Sequence, residues 1–230
     1  MKRLLNVMAL MVFALPLLAN EYTVKEVKGT VEVRRGVSEE WKALQEGDLL
    51  RPEDTIRTGK KSSARIVVDG KQLRIPEGIM VDISDFRQMS QEEFLLKLAM
   101  ENILAVPPRE DGSIAIPRTT VIHGTEAKET TDEQVKVEPG IMQLQGAKLL
   151  YENQFYATSV LKTKATFRVY PSLQANVDAR MRVANAFETM KLTNEALTEY
   201  SRMLSEELSA QQKTTVQKSV ERIRNTQNTR

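Results

Sequence analysis

The sequence predicts an α+β protein of two domains, with an all-β domain first and an α-helical domain after it. Three observations lead to this fold class. All ten glycines lie between Gly29 and Gly146, and neither glycine nor proline occurs after Pro171. Short segments of alternating apolar and polar residues fill the glycine-rich part. In the part that follows, apolar residues recur at helical spacing.

The composition excludes several classes of function. Of the 230 residues, 41% are hydrophobic and 28% are charged, which is ordinary for a folded chain and excludes wholesale disorder. There are 33 Lys and Arg against 31 Asp and Glu, so no excess of positive charge indicates nucleic-acid binding. With no cysteine and a single histidine, disulfides, thiolate metal sites, a cysteine nucleophile and multi-histidine metal sites are excluded.

Residues 1–19 have the anatomy of a secretory signal peptide. Lys2 and Arg3 form a short basic start, and an uncharged run of 16 residues follows, ending at Ala19. As a helix this run would be about 24 Å long, which is less than the ~30 Å of a bilayer core. We therefore predict export, cleavage after Ala19 and a periplasmic protein without a stable membrane span. An uncleaved membrane anchor is the alternative.

The β domain is predicted over residues 20–123. Alternation of apolar and polar residues, the sign of a half-buried strand, occurs in three segments of it. Asp69-Gly70 separates two of these segments and indicates a hairpin, because both central residues of a type I′ turn need positive φ. A last short strand is expected at Val81 and Ile83, and the whole pattern predicts a small sandwich, barrel or β-solenoid. The alternating apolar residues are Val31, Val33, Ala64, Ile66, Val68, Leu73 and Ile75.

One helix is predicted inside the β domain, at about 91–105. Ser90 and Glu93 form an S-x-x-E capping box, apolar residues follow at helical spacing, and Pro107 comes after the end. We expect this helix to cover one face or edge of the sheet. Residues 124–140 are polar and acidic, and we interpret them as a solvated linker.

The helical domain is predicted over residues 141–225, with 226–230 as a tail. Its clearest unit, at about 177–210, carries two apolar stripes at helical spacing. A weaker unit over 146–172 precedes it and a terminal helix follows it. Because one unit of this size cannot bury its own apolar faces, stacked neighbours are expected. The stripes run through Val183, Phe187 and Met190, through Leu197, Tyr200, Leu204 and Leu208, and through Val216, Val220 and Ile223 in the terminal helix.

The motifs of the β region occur in an order found in a known family. Residues 24–36 read VKEVKGTVEVRRG, Trp41 and Leu44 follow, and residues 46–75 read EGDLLRPEDTIRTGKKSSARIVVDGKQLRI. A later piece, IPRTTVIHGTE over 116–126, ends in G-T-E. These motifs resemble the FecR-type domain of exported bacterial proteins. The resemblance implies an all-β, solenoid-like fold and an interaction role rather than catalysis.

The best-known proteins with such a domain are anti-sigma regulators that span the inner membrane and signal from an outer-membrane receptor. They carry a cytoplasmic sigma-binding segment ahead of their membrane helix, whereas only three residues precede the apolar run here. We therefore do not expect a complete anti-sigma factor. The periplasmic sensor part of a FecR-type signalling system is one alternative function.

Small and aromatic residues occupy set places in the helical region. Ala184 and Phe187 hold the small and aromatic places of one helix, and Ala196 and Tyr200 hold those of the next. This pattern is similar to a tetratricopeptide repeat, although Lys191 stands where that repeat usually has a glycine. The resemblance implies antiparallel helix pairs with a concave side that binds peptides or proteins. An irregular helical bundle is the alternative.

Five polar positions are the candidate partner-binding residues. The apolar stripes are needed to hold the helices together, so we expect the polar positions on the first helix of the 177–210 unit to be free. In a repeat, positions of this kind line the concave side. The candidate partner-binding residues are Arg180, Arg182, Asn185, Glu188 and Thr189.

No pattern in the sequence predicts a catalytic, cofactor-binding or metal site. His123 stands alone, so a structural role is favoured. The GKKS segment at 59–62 lacks the upstream glycine of a phosphate loop and is interpreted as a basic turn. Asp82 and Asp85 could be paired carboxylates, but a solvated face is favoured. Trp41 is interpreted as a core or cap residue rather than a ligand platform.

The sequence therefore predicts a non-enzymatic binding or scaffold protein of the bacterial cell envelope. We expect the helical domain to carry the main contact with a protein partner, and we expect no cofactor. The alternative is an envelope module that binds a cell-wall glycan through its β domain, where Arg34 and Arg35 could touch an anionic polymer. A hydrolase that uses carboxylates is the least favoured hypothesis.

Overall fold

The computed structural model describes residues 22–105 and 133–228. The predicted signal peptide, His123 and the 116–126 motif lie outside these residues. Within them the chain forms eight strands and then six α-helices. The strands are β1 Tyr22–Lys28, β2 Val31–Arg34, β3 Trp41–Ala43, β4 Leu49–Leu50, β5 Thr55–Thr58, β6 Ser63–Val68, β7 Lys71–Ile75 and β8 Met80–Asp82. The helices are α1 Gln91–Leu104, α2 Glu133–Glu152, α3 Tyr156–Val169, α4 Val177–Thr189, α5 Thr193–Leu204 and α6 Ala210–Asn228.

The strands form two four-stranded sheets, ordered β4-β1-β6-β7 and β3-β2-β5-β8. Every pairing among these strands is antiparallel. Apolar side chains of both sheets share one core, so the β part is a small sandwich. An α+β layout with the strands first is confirmed. The solenoid-like alternative is wrong for this part, because a solenoid stacks its strands in parallel.

Two of the bends at which the chain passes from one sheet to the other lie next to each other. Between β1 and β2, Gly29 takes a φ of +72°, and a Cβ there would lie 2.5 Å from Ser62 Oγ. Ser62 Oγ accepts a hydrogen bond from the Thr30 amide at 2.9 Å. The Gly59 amide, in the bend between β5 and β6, donates to the Thr30 carbonyl at 2.9 Å. These hydrogen bonds join the two bends. A side chain at position 29 would clash with Ser62, so only glycine fits there.

The predicted hairpin is confirmed. Asp69 and Gly70 have φ of +47° and +78° and join β6 to β7, with Val68 paired to Lys71. The seven alternating apolar residues are all buried in the sandwich core. The last short strand covers Val81, whereas Ile83 starts a 3-10 turn.

Trp41 is not a core residue, which corrects the sequence-based interpretation. It lies half-exposed on β3, the edge strand of its sheet, directly opposite Arg34 of β2. On β2 the side chains of Val31 and Val33 point into the core. Arg34 and its cross-strand neighbour Trp41 therefore lie on the outer face.

The helical part is built of consecutive antiparallel neighbours. Helices α2 and α3 form one pair and α4 and α5 another, and α6 packs on α5. Each pair turns at a residue with positive φ that is not glycine, Gln154 at +67° and Lys191 at +62°. Two boundaries differ from those predicted. Helix α2 begins at Glu133, inside the predicted linker 124–140, and α6 continues to Asn228, inside the predicted tail 226–230.

Helix α1 exists as predicted but packs elsewhere. Ser90 Oγ accepts the Glu93 amide at 3.2 Å, which confirms the N-cap. The helix does not cover a sheet. Its buried residues Phe94 and Leu98 belong to the helical core, where the Phe94 ring lies 6.1 Å from that of Phe187. The apolar residues of α1 thus complete the helical part.

Helix α2, in contrast, belongs to the helical part of the sequence but packs on the sandwich. Its Leu149 and Leu150 belong to the sandwich core. At Gly146 the helix backbone meets β8 directly, because a Cβ there would lie 2.2 Å from the Met80 carbonyl oxygen. Each half therefore supplies one helix to the core of the other. Within residues 22–105 and 133–228, no helix is both long and apolar enough to cross a membrane.

We expect Gly146→Ala to lower the free energy of unfolding by about 2 kcal/mol, the usual cost of overpacking. The same change in an exposed helix is normally stabilising by about 1 kcal/mol. Gly140→Ala is the matched control on the same helix. A Cβ there would meet side-chain atoms of Tyr170 and Leu173, which can rotate away, so its loss should be smaller. Urea unfolding measures both, and a neutral or stabilising Gly146→Ala would contradict this account of the junction.

Candidate functional site

Two of the five predicted partner-binding residues are arginines on α4, and neither is freely exposed. Arg180 is buried, and its Nε lies 3.4 Å from Glu199 Oε1 of α5. Its guanidinium also pairs with Glu206. Arg182 is half-buried, and burial lowers its pKa from the ordinary value. The expectation that Arg180 is free is wrong, because the ridge between α4 and α5 buries charged as well as apolar side chains.

The other three predicted residues lie nearer the surface. Asn185 accepts a hydrogen bond from the Tyr200 hydroxyl at 2.6 Å. Glu188 pairs with Arg222 of α6 at 2.8 Å. Thr189 is exposed, and its hydroxyl donates to the Asn185 carbonyl. Most of these polar groups thus join helices to each other, which leaves little of this face for a partner.

A second surface of the helical part is apolar and exposed. Leu96, Met100 and Ile103 of α1 are 65%, 54% and 53% exposed, and they follow one another at helical spacing. Leu104 extends the same stripe at 39%. Because Phe94 and Leu98 are buried on the other side, α1 is apolar on two faces. Burial in the helical core accounts for only one of them.

An apolar groove runs between α1 and α3 beside this stripe. Its volume is ≈ 450 Å³. Val169, at the end of α3, is 58% exposed and lines it. The floor is formed by the 3-10 turn after β8, together with Lys162 of α3. The apolar lining residues are Met89, Met100, Leu104, Leu161, Ala165 and Val169.

A polar cleft lies on the other side of the α1 C-terminus, with a volume of ≈ 650 Å³. Glu101 and Leu104 line both the cleft and the apolar groove. Between the two, Glu101 Oε2 accepts a hydrogen bond from Arg168 Nε at 3.0 Å. The groove and the cleft therefore form one continuous surface on either side of this ion pair.

The polar cleft is lined by one more basic residue than acidic residues. Its basic residues are Lys164, Arg168, Arg180 and Arg202, and its acidic residues are Glu101, Glu199 and Glu206. Arg180 and Lys164 both pair with Glu199, Arg180 also with Glu206, and Arg168 with Glu101. Arg202 is exposed and forms no ion pair with any residue that the structure describes.

Two carboxylates and one ammonium form the floor of the apolar groove. Lys162 Nζ lies 2.7 Å from Asp82 Oδ2 and 2.8 Å from Asp85 Oδ2. The side chain of Lys162 is 9% exposed. The Thr55 hydroxyl donates a further hydrogen bond to Asp82 Oδ1 at 2.6 Å. Asp82 and Asp85 are thus not the solvated face that the sequence suggested, and they tie α3 to the sandwich.

The pKa values of this cluster follow from burial and from the three charges. Burial raises the pKa of Asp82, but the ammonium of Lys162 outweighs it, so that pKa lies below its ordinary value. Asp85 is more deeply buried, and burial keeps its pKa above the ordinary value in spite of Lys162. Burial lowers the pKa of Lys162, but the two carboxylates outweigh it and raise that pKa. Lys162 therefore stays protonated at neutral pH, and a protonated amine cannot act as a base or nucleophile.

Among residues 22–105 and 133–228, no group of three His, Asp or Glu side chains could hold a metal ion. The GKKS segment is a turn, as predicted, with Lys61 at a φ of +57° and its amide bonded to Glu77. The arrangement offers an exposed apolar groove, a polar cleft with one free cation, and ion pairs that hold the elements around them in place. Features of this kind are typical of binding surfaces.

The sequence contains a partial signal for this surface. The apolar residues of α1 are evident in it, but the prediction places this helix over one face or edge of the sheet. Arg202 and Glu101 are ordinary surface residues in the sequence, and only tertiary packing brings them to one cleft. The excess of apolar residues on α1, more than one buried face can use, was the signal that could have indicated the groove.

Comparisons with protein-family models, with curated protein sequences and with solved structures give no significant match to this chain.

Replacing Lys162 by Met should lower the free energy of unfolding by about 2 kcal/mol. Removing one partner of a fully buried ion pair costs about 3–5 kcal/mol, and the effect is smaller here because Asp82 is 42% exposed. Lys148→Met is the matched control, since Lys148 pairs with Glu152 at the surface. It should cost less than about 0.5 kcal/mol. Equal losses in urea unfolding would contradict the role assigned to Lys162.

The stabilisation by Lys162 should disappear at alkaline pH. A lysine whose pKa is raised by folding stabilises the folded state fully below its unfolded pKa, and this stabilisation is lost as the pH rises through the folded pKa. The ordinary value is 10.5. The difference in unfolding free energy between the wild type and Lys162→Met should therefore stay constant from neutral pH to near 10.5 and shrink above it. A series of urea titrations across this range measures it, and a difference that persists above the transition would contradict the prediction.

Proposed function

We propose that the chain is a non-enzymatic binding protein whose helical part engages a segment of a partner protein. The observation that carries the proposal is the apolar groove between α1 and α3, bordered by the exposed stripe of Leu96, Met100 and Ile103. Contiguous exposed apolar surface on a soluble protein marks a site of interaction. The groove is concave and lies on helices that are fixed from below by the Lys162 cluster, so its shape is formed before a partner arrives.

The partner segment is defined by the chemistry of the surface. Its apolar side chains would fill the groove beside Met100 and Val169. A carboxylate on the same segment would meet Arg202 in the polar cleft, where the other cations are already neutralised by Glu101, Glu199 and Glu206. A segment of apolar residues with an acidic residue at one end therefore fits this surface better than a basic one.

The architecture supports a scaffold role. Two antiparallel helix pairs and a further helix stack in sequence order, which agrees with the tetratricopeptide-like arrangement that we propose for this part. We propose a FecR-like identity for the sandwich on the order of the motifs quoted above, and its two antiparallel sheets depart from the solenoid-like fold that the resemblance implies. Export to the periplasm and a partner in the cell envelope complete the proposal, and they rest on the sequence of residues 1–19.

The test is the capture of partner proteins from an envelope extract, with identification by mass spectrometry and affinity measurement on the purified partner. Met100→Lys places a charge in the groove, and Arg202→Glu reverses the free charge of the cleft. Each should weaken binding at least about tenfold, or 1.4 kcal/mol. Val37→Lys is the matched control, because Val37 is a fully exposed apolar residue of the sandwich. It should leave the affinity unchanged.

Stability measurements on the same variants separate binding from folding. All three positions are exposed, so each change should alter the free energy of unfolding by less than about 0.5 kcal/mol. If Met100→Lys instead destabilises the protein like a core substitution, the stripe is covered by the chain itself and the proposal fails. It fails equally if Val37→Lys weakens binding as much as the two groove variants do.

A further inference from the structure

The outer face of the second sheet carries an aromatic and cationic cluster that the proposed function does not use. Trp41 on β3 lies half-exposed, and guanidinium groups from the next two strands lie against its ring. The guanidinium carbon of Arg57 is 4.1 Å from the ring centroid, and that of Arg34 is 5.4 Å away. Both distances are those of cation–π contacts. Because β3 is an edge strand, no other strand within residues 22–105 and 133–228 covers the side of Trp41 that faces away from β2.

Each of the two arginines donates one hydrogen bond to the residues that the structure describes. Arg57 donates from Nε to Glu32 at 2.7 Å. Arg34 donates from one terminal nitrogen to the Thr55 hydroxyl at 3.3 Å. Among the described residues, Arg34 Nε is the one buried side-chain nitrogen or oxygen without a hydrogen-bond partner. Because Arg34 Nε is enclosed by the protein, an acceptor from outside would meet the terminal nitrogens of the two arginines instead.

The rest of this face is closed by the helical part. At its other edge, Gly146 of α2 lies on Met80 and Lys162 of α3 pairs with Asp82. In the open remainder the register sets Trp41 opposite Arg34, and Glu32 opposite Arg57. The patch is thus an indole with two guanidinium groups over its ring, one of which also pairs with Glu32. No described residue of the helical part forms a hydrogen bond with either guanidinium.

We propose that this patch, Trp41 with Arg34 and Arg57, binds an acidic saccharide that bears carboxylates. The apolar face of a sugar ring would lie on the part of the indole that the Arg57 guanidinium does not cover, and the carboxylate would accept hydrogen bonds from the terminal nitrogens of the two guanidinium groups. Arginine suits this task because its planar fork matches a carboxylate. An acidic peptide would use the guanidinium groups alone and would not stack on the indole. The site is separate from the groove on the helical part.

The test uses the fluorescence of Trp41, which is the only tryptophan of the chain. The probes are oligogalacturonate, a neutral dextran of similar length and poly-glutamate, each titrated into the full-length mature protein at moderate salt. Oligogalacturonate should bind and change the emission of Trp41. Arg57→Gln and Arg34→Gln should each weaken this binding at least about tenfold, the usual effect of a lost charged hydrogen bond. Dextran should give no change.

Arg74→Gln is the matched control, because Arg74 is an exposed arginine of β7 on the other sheet. It should leave the affinity for oligogalacturonate unchanged. Equal weakening by Arg74→Gln, or equally tight binding of poly-glutamate with the same change in emission, would show attraction by charge alone and overturn the proposal. The absence of any saturable change with oligogalacturonate would also overturn it. If Arg34→Gln fails to fold, Arg57→Gln decides the outcome.

Discussion

The arrangement of this molecule depends on the junction between strand β8 and helices α2 and α3. Strand β8 is an edge of its sheet, and an uncovered edge invites pairing with other chains. Here α2 lies directly on it, because Gly146 has no side chain to hold the two backbones apart. Lys162 of α3 then forms ion pairs with Asp82 and Asp85 beside the same strand. Since α1 completes the helical core and α2 the sandwich core, neither half has a complete core without the other.

This junction also decides which surfaces stay open. On the sheet that it covers, the edge at β8 is closed and the edge at Trp41 is accessible. On the helical side, α3 turns Lys162 toward the sandwich, so the groove between α1 and α3 has a polar floor and apolar walls. The ion pairs of Arg180 and of Arg168 hold the neighbouring helices together, which leaves Arg202 as a cation still able to meet a partner's charge.

Local features of the fold could be predicted from the sequence, because each depends on residues close together in the chain. The Asp69-Gly70 hairpin, the Ser90 cap and the apolar stripes of α4 to α6 are of this kind. The positions of Trp41 and Arg180 could not be predicted. Whether a half-buried aromatic faces the core depends on strand register, and whether an arginine is free depends on carboxylates far away in sequence. The same holds for Asp82 and Lys162, which are 80 residues apart and in direct contact.

A chain of hydrogen bonds connects the Trp41 patch on the sandwich to the groove between α1 and α3. Arg34, beside Trp41, donates to the Thr55 hydroxyl, and that hydroxyl donates its own proton to Asp82. Asp82 is held by Lys162, which forms the floor of the groove. Because a hydroxyl has a single proton, Thr55 cannot donate to both neighbours, and the direction of the chain of hydrogen bonds is fixed by the guanidinium at one end and the carboxylate at the other. A single hydroxyl thus joins the arginine of one surface to the ion pair beneath the other.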